Sequence, residues 1–302
     1  MSEYHNPVLL SECLDGLNIN PNGTYVDVTF GGGGHSRAIV SMLNEGHLYA
    51  FDQDDEALKN DFDDTRFTLI NTNFRYLKSS LRMYGVKEID GLLADLGVSS
   101  HQFDVPDRGF STRFQADLDM RMDQRSDLNA YEVINEYDEA DLRNILKFYG
   151  ELKRSGTIAR VICEARLNKP IATVNELKEL LRPIMPAMLE NKFFAQVFQA
   201  IRIEVNDELN VLKEMLMQAQ EVLKIGGRLV VISYHSLEDR LVKNLIQKGN
   251  FEGELEQDFY GNKLLSFKKI SRKPILPTEL EIKKNNRARS AKLRVAEKIY
   301  KS

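Results

Sequence analysis

Residues 24–35, TYVDVTFGGGGH, are the stretch that decides the fold. The β-rich run 24–28 leads into four glycines, Gly31 to Gly34, and apolar residues at helical spacing follow over residues 35–43. Glycine lets the backbone turn sharply and leaves room for a ligand to approach the main chain. The stretch therefore predicts a strand, a ligand-binding turn and a helix in succession.

The same alternation continues along the chain. Short apolar runs over residues 48–51, 67–70 and 89–94 predict strands, and residues 74–84 have the spacing of a helix. Strands that alternate with helices in this way are typical of parallel βαβ units. We therefore predict an α/β fold with a doubly wound, mostly parallel, Rossmann-like sheet.

The alternation stops between residues 101 and 192, where no strand pattern is found. The segments with helical spacing in this part of the chain are 138–148, 155–167 and 174–181. The pattern indicates a smaller helical domain inserted into the sheet domain. The predicted domains are a sheet domain, 1–105 with 195–302, and an inserted helical domain for substrate recognition, 106–194.

Sheet elements return after the insertion. A helix over 206–223 is expected to stop at Gly226 and Gly227, because paired glycines end helices. The further predicted elements are a strand over 228–232, a helix over 237–246, and sheet-closing segments at 264–267 and 291–295.

Composition favours a cytoplasmic protein without disulfides. The chain has 302 residues, 42% of them apolar, which is enough for a large core. The two cysteines, Cys13 and Cys163, are far apart in sequence, so neither a disulfide framework nor a metal site is predicted. The N-terminal residues are polar and no apolar run reaches membrane-spanning length, so we expect neither export nor a membrane partner. The oligomeric state stays open, a homodimer included.

Positive charge is concentrated in residues 263–302, the basic C-terminal segment. It contains thirteen Lys and Arg against three Glu, a net charge of +10, in a chain whose total is −4. The segment, with Arg287, Arg289, Lys292 and Arg294, is a candidate RNA contact surface. The alternative is an ordinary solvated surface, and charge alone does not decide between the two.

Three acidic residues, Asp27, Asp52 and Asp95, follow or end predicted strands. The carboxyl ends of parallel strands share one edge of a sheet, where open α/β sheets bind ligands, and Asp52 is placed to accept hydrogen bonds from ribose hydroxyls. A dinucleotide would need a third glycine where Ser36 stands, and its pyrophosphate would be repelled by Asp27, whereas a cationic sulfonium would be attracted. The acids therefore favour S-adenosylmethionine over NAD. The alternative is that Asp27 caps the glycine turn and Asp52 caps the next helix.

Longer motifs make the chain similar to one family. They are HNPVLL at 5–10, GGHS at 33–36, DLGVSS at 95–100, RGFS at 108–111, LDMRMD at 118–123, FQAIRI at 198–203, ISYHSLEDR at 232–240 and NRARS at 286–290. On these motifs, which extend over nearly the whole chain, it resembles the bacterial 16S ribosomal RNA cytosine-N4 methyltransferases.

The resemblance implies a class I methyltransferase fold, S-adenosylmethionine as methyl donor, and 16S rRNA within the small ribosomal subunit as partner. The implied reaction is methylation of the N4 amine of one cytosine in the decoding region. The residues onto which the family's cofactor contacts fall are Gly33, Gly34, His35, Asp52, Phe74, Asp95 and Gln102.

The chemistry of a cytosine amine suggests catalytic residues. Its lone pair is delocalised into the ring, so transfer needs in-line positioning and a proton acceptor. We expect Asp95 and the loop 96–100, Ser99 included, to hold both the donor and the amine. His235 is a second candidate acceptor, the alternative being a cap for the helix that follows it. A base inside a duplex cannot reach a buried donor, so the target must be unstacked or flipped.

Residues 108–123 carry Arg108, Arg113 and Arg121 among acids. The arginines are candidate RNA contacts over the site. The alternative, favoured for Asp119 and Arg121, is an internal ion-pair network, and the methionines nearby are expected in the core.

Two other classes of function share these features. One is a methyltransferase that acts on a small molecule or a protein, which the fold alone does not exclude. The other is a non-catalytic RNA-binding or ribosome-assembly protein that retained a cofactor pocket. The family motifs favour the RNA methyltransferase.

Overall fold

The computed structural model describes residues 7–99, 102–103, 105, 108–111, 115–186, 189–255, 257, 259–261 and 263–300. The chain forms two compact units. The first contains the residues up to Gly97 and from Asn210 onward, and the second is Val98–Leu209. Within the described ranges, none of the helices combines the length and the apolar character that a bilayer crossing requires.

The first unit is built on a seven-stranded sheet. Its strands are β1 (Thr24–Asp27), β2 (His47–Asp52), β3 (Phe67–Asn71), β4 (Ile89–Asp95), β5 (Leu223–Ser233), β6 (Phe267–Lys269) and β7 (Lys292–Lys298). Their order across the sheet is β3-β2-β1-β4-β5-β7-β6. Strands β1 to β5 pair in parallel, and β7 is antiparallel to both of its neighbours. The chain crosses from one side of β1 to the other between β3 and β4, so the carboxyl ends of β1 and β4 form the switch point at which such sheets bind ligands.

Eleven α-helices are assigned within the described residues. They are α1 (Leu10–Leu17), α2 (Gly34–Ser41), α3 (Leu77–Met83), α4 (Ala130–Glu136), α5 (Glu139–Phe148), α6 (Ser155–Arg166), α7 (Val174–Leu181), α8 (Glu190–Val205), α9 (Glu208–Val222), α10 (Ser236–Lys248) and α11 (Glu279–Lys284). Short 3₁₀ turns are Asp55–Asn60, Phe74–Tyr76, Arg182–Ile184 and Asn286–Ser290.

The two faces of the sheet carry separate apolar cores, because successive strand residues point to opposite faces. On one face, strand residues pack with α3, α9 and α10, through Val26, Leu92, Val231, Leu81, Leu216 and Val242. On the other, they pack with α1 and α2, through Tyr25, Leu93, Val230, Leu17 and Ile39. Fully burying one aliphatic side chain of this kind stabilises the fold by about 1.5–3 kcal/mol. The strand ends are therefore held in a fixed register from both sides.

The second unit is helical, and helices α4 to α8 enclose a core of its own. Helix α8 contributes Phe194, Val197 and Ile201 to this core. The unit therefore extends outward from the expected limits of 106 and 194 to Val98 and Leu209.

The predicted α/β fold, with a mostly parallel sheet and an inserted helical unit, is confirmed. The helix predicted over 206–223 is confirmed as α9, which ends at Val222, but the role of Gly226 and Gly227 as its stop is wrong, because β5 begins at Leu223 and passes through both glycines. Pairing shifts from Ile89 with Leu223 to Gly91 with Arg228, so a bulge in β5 lies opposite Asp90. The Lys224 ammonium donates to both oxygens of Asp90, at 2.9 and 2.8 Å, and holds that bulge in place.

Candidate active site

A tight turn joins β1 to α2 at the switch point. Gly33 has a left-handed backbone with φ of 73° and precedes the first residue of α2, Gly34. Its N–H donates to the carbonyl of Phe30 at 2.8 Å, and a Cβ at Gly33 would lie 2.9 Å from the Phe30 ring. At Gly32, in contrast, a Cβ would meet no atom within 4 Å. The turn therefore requires glycine at 33 and presents an open surface at 32.

Asp27, at the end of β1, stabilises this turn through hydrogen bonds from its buried side chain. Its side chain is buried, and its two oxygens accept hydrogen bonds from the Thr29 N–H at 3.0 Å and the Ser36 hydroxyl at 2.7 Å. Both oxygens thus bind groups of the protein itself. The alternative interpretation of Asp27, as a cap of the glycine turn, is confirmed.

Asp52, at the end of β2, contacts the turn from the neighbouring strand. One oxygen accepts from the Gly31 N–H at 2.8 Å and the other from the Asp54 N–H at 2.9 Å. The cap of the following 3₁₀ turn is Asp54, whose side chain accepts from the Glu56 N–H, so the alternative interpretation of Asp52 as the cap is wrong. Burial raises the pKa of Asp52 to about 6. The two backbone hydrogen bonds lower the pKa, but their effect is smaller than that of burial. Each oxygen keeps a lone pair for a ligand hydroxyl.

Asp95, at the end of β4, lies on the other side of β1. Its Oδ1 accepts a hydrogen bond from the Tyr234 hydroxyl at 2.7 Å, and its N–H donates to the Thr29 hydroxyl at 2.7 Å. Its Oδ2 lies 3.8 Å from Nδ1 of His35. Burial raises the pKa of Asp95 to about 6, while His35 and the Tyr234 hydrogen bond act in the lowering direction. This is a carboxylate poised close to neutral pH.

His35 is buried in α2 and tied to the segment before α1. Its Nε2 lies 3.0 Å from the Val8 carbonyl, and since a carbonyl only accepts, Nε2 carries the proton. Beside it, a Cβ at Gly34 would lie 2.4 Å from Cγ of Pro7, so the N-terminal segment packs directly on the turn. The imidazole is therefore fixed with Nδ1 toward Asp95.

Phe74 begins the 3₁₀ turn that follows β3 and is partly buried against the core that contains α3. Asn73 caps this turn by accepting from the Arg75 N–H at 2.9 Å. The Asn73 amide also donates to the Gln53 side chain at 2.6 Å, which links the carboxyl ends of β3 and β2. Phe74 thus lies on the same sheet edge as Asp52.

Ser99 and Gln102 belong to the second unit. The Ser99 N–H donates to the Gln102 side chain at 3.0 Å, and the Gln102 N–H donates to the Ser99 hydroxyl at 3.2 Å. Gln102 is buried. The two predicted residues therefore bind each other at the start of that unit.

His235 is the N-cap of α10. Its Nδ1 accepts from the Glu238 N–H at 3.4 Å, and the Glu238 carboxylate accepts from the His235 N–H at 3.2 Å. The alternative interpretation, a capping histidine, is confirmed. The same carboxylate accepts from the Tyr234 N–H at 2.8 Å, so the cap also fixes Tyr234, the partner of Asp95 that the sequence reasoning missed. Its position directly after a strand, within ISYHSLEDR, was the available signal.

Several candidate RNA contacts are engaged inside the protein. Arg294 donates to both oxygens of Asp239, at 2.7 and 3.1 Å, and Lys292 lies 3.8 Å from the same carboxylate. Arg121 pairs with Asp119 through two hydrogen bonds of 2.9 Å, as the ion-pair alternative predicts.

The remaining expectations for the loop 108–123 have mixed outcomes. The Arg108 guanidinium donates to the Arg121 carbonyl at 2.8 Å, and Met120 and Met122 are buried. Arg113 lies outside the described residues, as do His5, Asn6 and Ser100 of the family motifs.

The carboxyl edge of the sheet fits a cationic ligand that carries a ribose. Asp52 offers acceptors beside an open glycine turn. Among the described residues, Oδ2 of Asp95 has Nδ1 of the His35 imidazole at 3.8 Å and accepts no hydrogen bond. A bound positive charge would stabilise a carboxylate whose pKa burial has raised. The glycine turn, the two carboxylates and the strand order together define a class I methyltransferase that uses S-adenosylmethionine.

The chain belongs to the MraW methylase family, whose model matches residues 2–299. It is 63% identical over 298 residues to the ribosomal RNA small subunit methyltransferase H of Flavobacterium johnsoniae, covering 98% of either chain. It is 59% identical over 300 residues to the protein of that name from Christiangramia forsetii, covering 99% of each. A solved rRNA methylase from Streptococcus thermophilus is similar at 14% identity and a TM-score of 0.44, over 99% of both chains. Family membership makes the chain a methyltransferase with S-adenosylmethionine as its methyl donor.

Proposed function

We propose that this chain methylates the N4 amine of a cytosine in the decoding region of 16S rRNA, within the small ribosomal subunit. The observation that carries the proposal is the family match over residues 2–299, with relatives named ribosomal RNA small subunit methyltransferase H. The family resemblance of the sequence motifs is the basis for naming the N4 amine as the methylated group and the decoding region as its location. A ribosomal substrate implies action in the cytoplasm. The proposal holds equally for a monomer and for a homodimer.

Asp52, Asp95 and the glycine turn would hold the methyl donor. Asp52 is suited to accept from ribose hydroxyls, and the main chain at Gly33 and Gly34 permits close approach. When bound, S-adenosylmethionine supplies an electrophilic methyl group on a cationic sulfonium. On the basis of the family resemblance, we also assign contacts with S-adenosylmethionine to His35, Phe74 and Gln102.

Asp95 is our candidate for the residue that takes the amine proton. A carboxylate with a pKa of about 6 is ionised at neutral pH and still basic enough to accept a proton late in the transfer. The Tyr234 hydroxyl fixes Oδ1 by a 2.7 Å hydrogen bond, so the carboxylate needs little reorganisation during the reaction, and Oδ2 accepts no hydrogen bond from the described residues. Ser99 is proposed to orient the amine from the loop that follows β4. His235 is assigned a positioning role, because its ring is engaged in the cap of α10.

The test combines cells and purified protein. Mass spectrometry of small-subunit rRNA from cells that lack this chain should show one cytosine without its N4 methyl group. The purified protein should transfer a tritiated methyl group to those subunits. Asp95→Ala should reduce the rate by about 10²-fold or more, while Asp55→Ala, which removes an exposed acid, should not. Unchanged methylation in the deletion strain would contradict the proposal, and intact donor binding without transfer would favour the non-catalytic binder.

A further inference from the structure

An unpaired group of cations lies at the outer edge of the sheet. Residues 259–278 contain five Lys and Arg and no Asp or Glu. All five cations are exposed, and in the part of the chain that the structure describes none of them forms an ion pair. We call this group the cationic edge; its members are Lys263, Lys268, Lys269, Arg272 and Lys273. It differs in this respect from Arg294, which Asp239 neutralises.

Strand β6 presents the first part of the cationic edge. Among the strands of the described residues it is the outermost one on this side of the sheet, and β7 is its one pairing partner there. Within β6, the side chain of Phe267 is buried, while those of Lys268 and Lys269 are exposed. The carboxylate across from Lys268, that of Glu297, binds Arg228 at 3.0 Å. The lysines of β6 are thus left to the solvent.

The chain then bulges outward and carries two more cations with it. The Ile270 N–H donates to the Val295 carbonyl, and Ile275 exchanges two hydrogen bonds of 2.9 Å with Leu293. Four residues lie between Ile270 and Ile275, but one lies between their partners on β7. Residues 271–274 must therefore protrude from the edge, and they include Arg272 and Lys273.

The cationic edge runs toward the candidate active site. Strand β6 is parallel to β5, since both are antiparallel to β7, and Leu293 lies opposite Ile232, near the carboxyl end of β5. From Lys298 to Leu293 the run covers about 17 Å at 3.3–3.4 Å per residue.

The segment after the cationic edge, helix α11, contacts the N-terminal segment that binds His35. In α11, the Glu281 carboxylate accepts from the Leu9 N–H at 2.7 Å. The carbonyl of the preceding residue, Val8, is the one that binds His35. The exposed Lys283 and Lys284 at the end of α11 continue the positive charge at this end.

Two exposed aromatic rings flank the start of the cationic edge. Phe259 and Tyr260 are 98% and 86% exposed, with ring centroids 5.7 Å apart in an edge-to-face arrangement. They lie between Gln257 and Lys263, which form an isolated antiparallel bridge. Exposed rings next to a cation such as Lys263 suit a single-stranded nucleic acid, since bases stack on the rings while cations bind phosphates.

We propose that the cationic edge and the Phe259–Tyr260 pair bind the single-stranded rRNA that flanks the target nucleotide and lead it toward the carboxyl edge of the sheet. The inference rests on the proposed function. Complementary charge, the continuous run beside β7 and exposed rings on which bases can stack together favour a single-stranded RNA as the occupant.

The test uses one variant with Lys268→Gln, Lys269→Gln, Arg272→Gln and Lys273→Gln, and a second with Phe259→Ala and Tyr260→Ala. The control for the first changes four exposed cations elsewhere: Arg82→Gln, Lys87→Gln, Lys147→Gln and Lys243→Gln. Binding to a single-stranded polyuridylate oligonucleotide is measured across a salt series. Methyl transfer to undermethylated small subunits is measured alongside, and donor affinity is measured by calorimetry.

The four-cation variant should bind polyuridylate at least about tenfold more weakly, with a salt slope reduced by about 2–3 from the loss of four phosphate contacts. The aromatic variant should lose about fivefold or more with an unchanged slope. KM for the subunits should rise in both variants, while kcat and donor affinity stay near wild type. If both variants bind polyuridylate as the control does, the inference is overturned. If the wild type binds polyuridylate but methylates no subunit, the proposed function is contradicted. The inference that the cationic edge leads substrate rRNA to the active site is then contradicted as well.

Discussion

Removal of the Tyr234 hydroxyl isolates the part that this residue plays at Asp95. Tyr234→Phe deletes one atom, the donor of the 2.7 Å hydrogen bond to Asp95 Oδ1. The ring should stay in place, because the capping box of α10 fixes the Tyr234 N–H and a neighbouring Gly97 leaves room for the ring. The change therefore acts on the ionisation of Asp95 and not on the fold.

The size of the effect follows from the charge on the acceptor. A hydrogen bond to a charged group contributes about 1.5–3 kcal/mol, and 1.36 kcal/mol corresponds to one pKa unit. The Asp95 side chain is 23% exposed, so water replaces part of the lost bond. We expect the pKa of Asp95, about 6 in the wild type, to rise by roughly one unit in the variant. At pH 6, the ionised fraction then falls roughly fivefold, and at pH 8.5 the two proteins are nearly equal.

The assay is the pH dependence of kcat/KM for methyl transfer. If ionised Asp95 accepts the amine proton, activity falls as the pH drops through its pKa, and the acid limb of Tyr234→Phe moves to higher pH. Tyr137→Phe is the matched control, because Tyr137 donates to Glu204 at 2.8 Å within the second unit. Its acid limb should coincide with that of the wild type. An acid limb that stays in place in Tyr234→Phe would refute the assignment of Asp95 as the acceptor.

Three further predictions concern stability, measured by urea unfolding. Gly33→Ala should cost about 1–2 kcal/mol, because its φ of 73° is left-handed, while Gly32→Ala, which meets nothing within 4 Å, should cost less. Ser36→Ala removes a 2.7 Å hydrogen bond from a buried carboxylate and should cost about 1–3 kcal/mol, against little for the exposed Ser41→Ala. Burial lowers the pKa of Lys298 from 10.5, so the unfolded chain binds more protons and the wild type should gain stability as the pH rises toward that value. Lys298→Met should lack this gain; equal pH slopes in the two proteins would contradict it.

The fold was largely predictable because its elements are local. The run from β1 through the glycine turn to α2 carries its own signals, and the strands that follow alternate with helices as the pattern indicates. The start of β5 was not predictable from local signals, since Gly226 and Gly227 end helices in most contexts. Here the bulge is stabilised by Lys224 and Asp90, which are 134 residues apart in sequence.

The candidate site was predictable only in part, for the same reason. The acids were found because each ends a strand, but their separate roles depend on what each oxygen binds. Asp27 turns inward to Thr29 and Ser36, and Asp95 accepts from Tyr234 across 139 residues of sequence. The capping role of His235 could be anticipated, since Glu238 three residues later completes a capping box.

Calorimetric titration of Asp52→Asn with S-adenosylmethionine tests most directly whether carboxylates at the ends of parallel strands hold the methyl donor. The variant keeps the shape of the side chain but loses its charge and one of its acceptors. Affinity should fall by about tenfold or more, as expected for hydrogen bonds to a charged group. Asp55→Asn, which neutralises an exposed acid three residues away, should bind as the wild type does. Equal affinity in Asp52→Asn and the wild type would contradict the account.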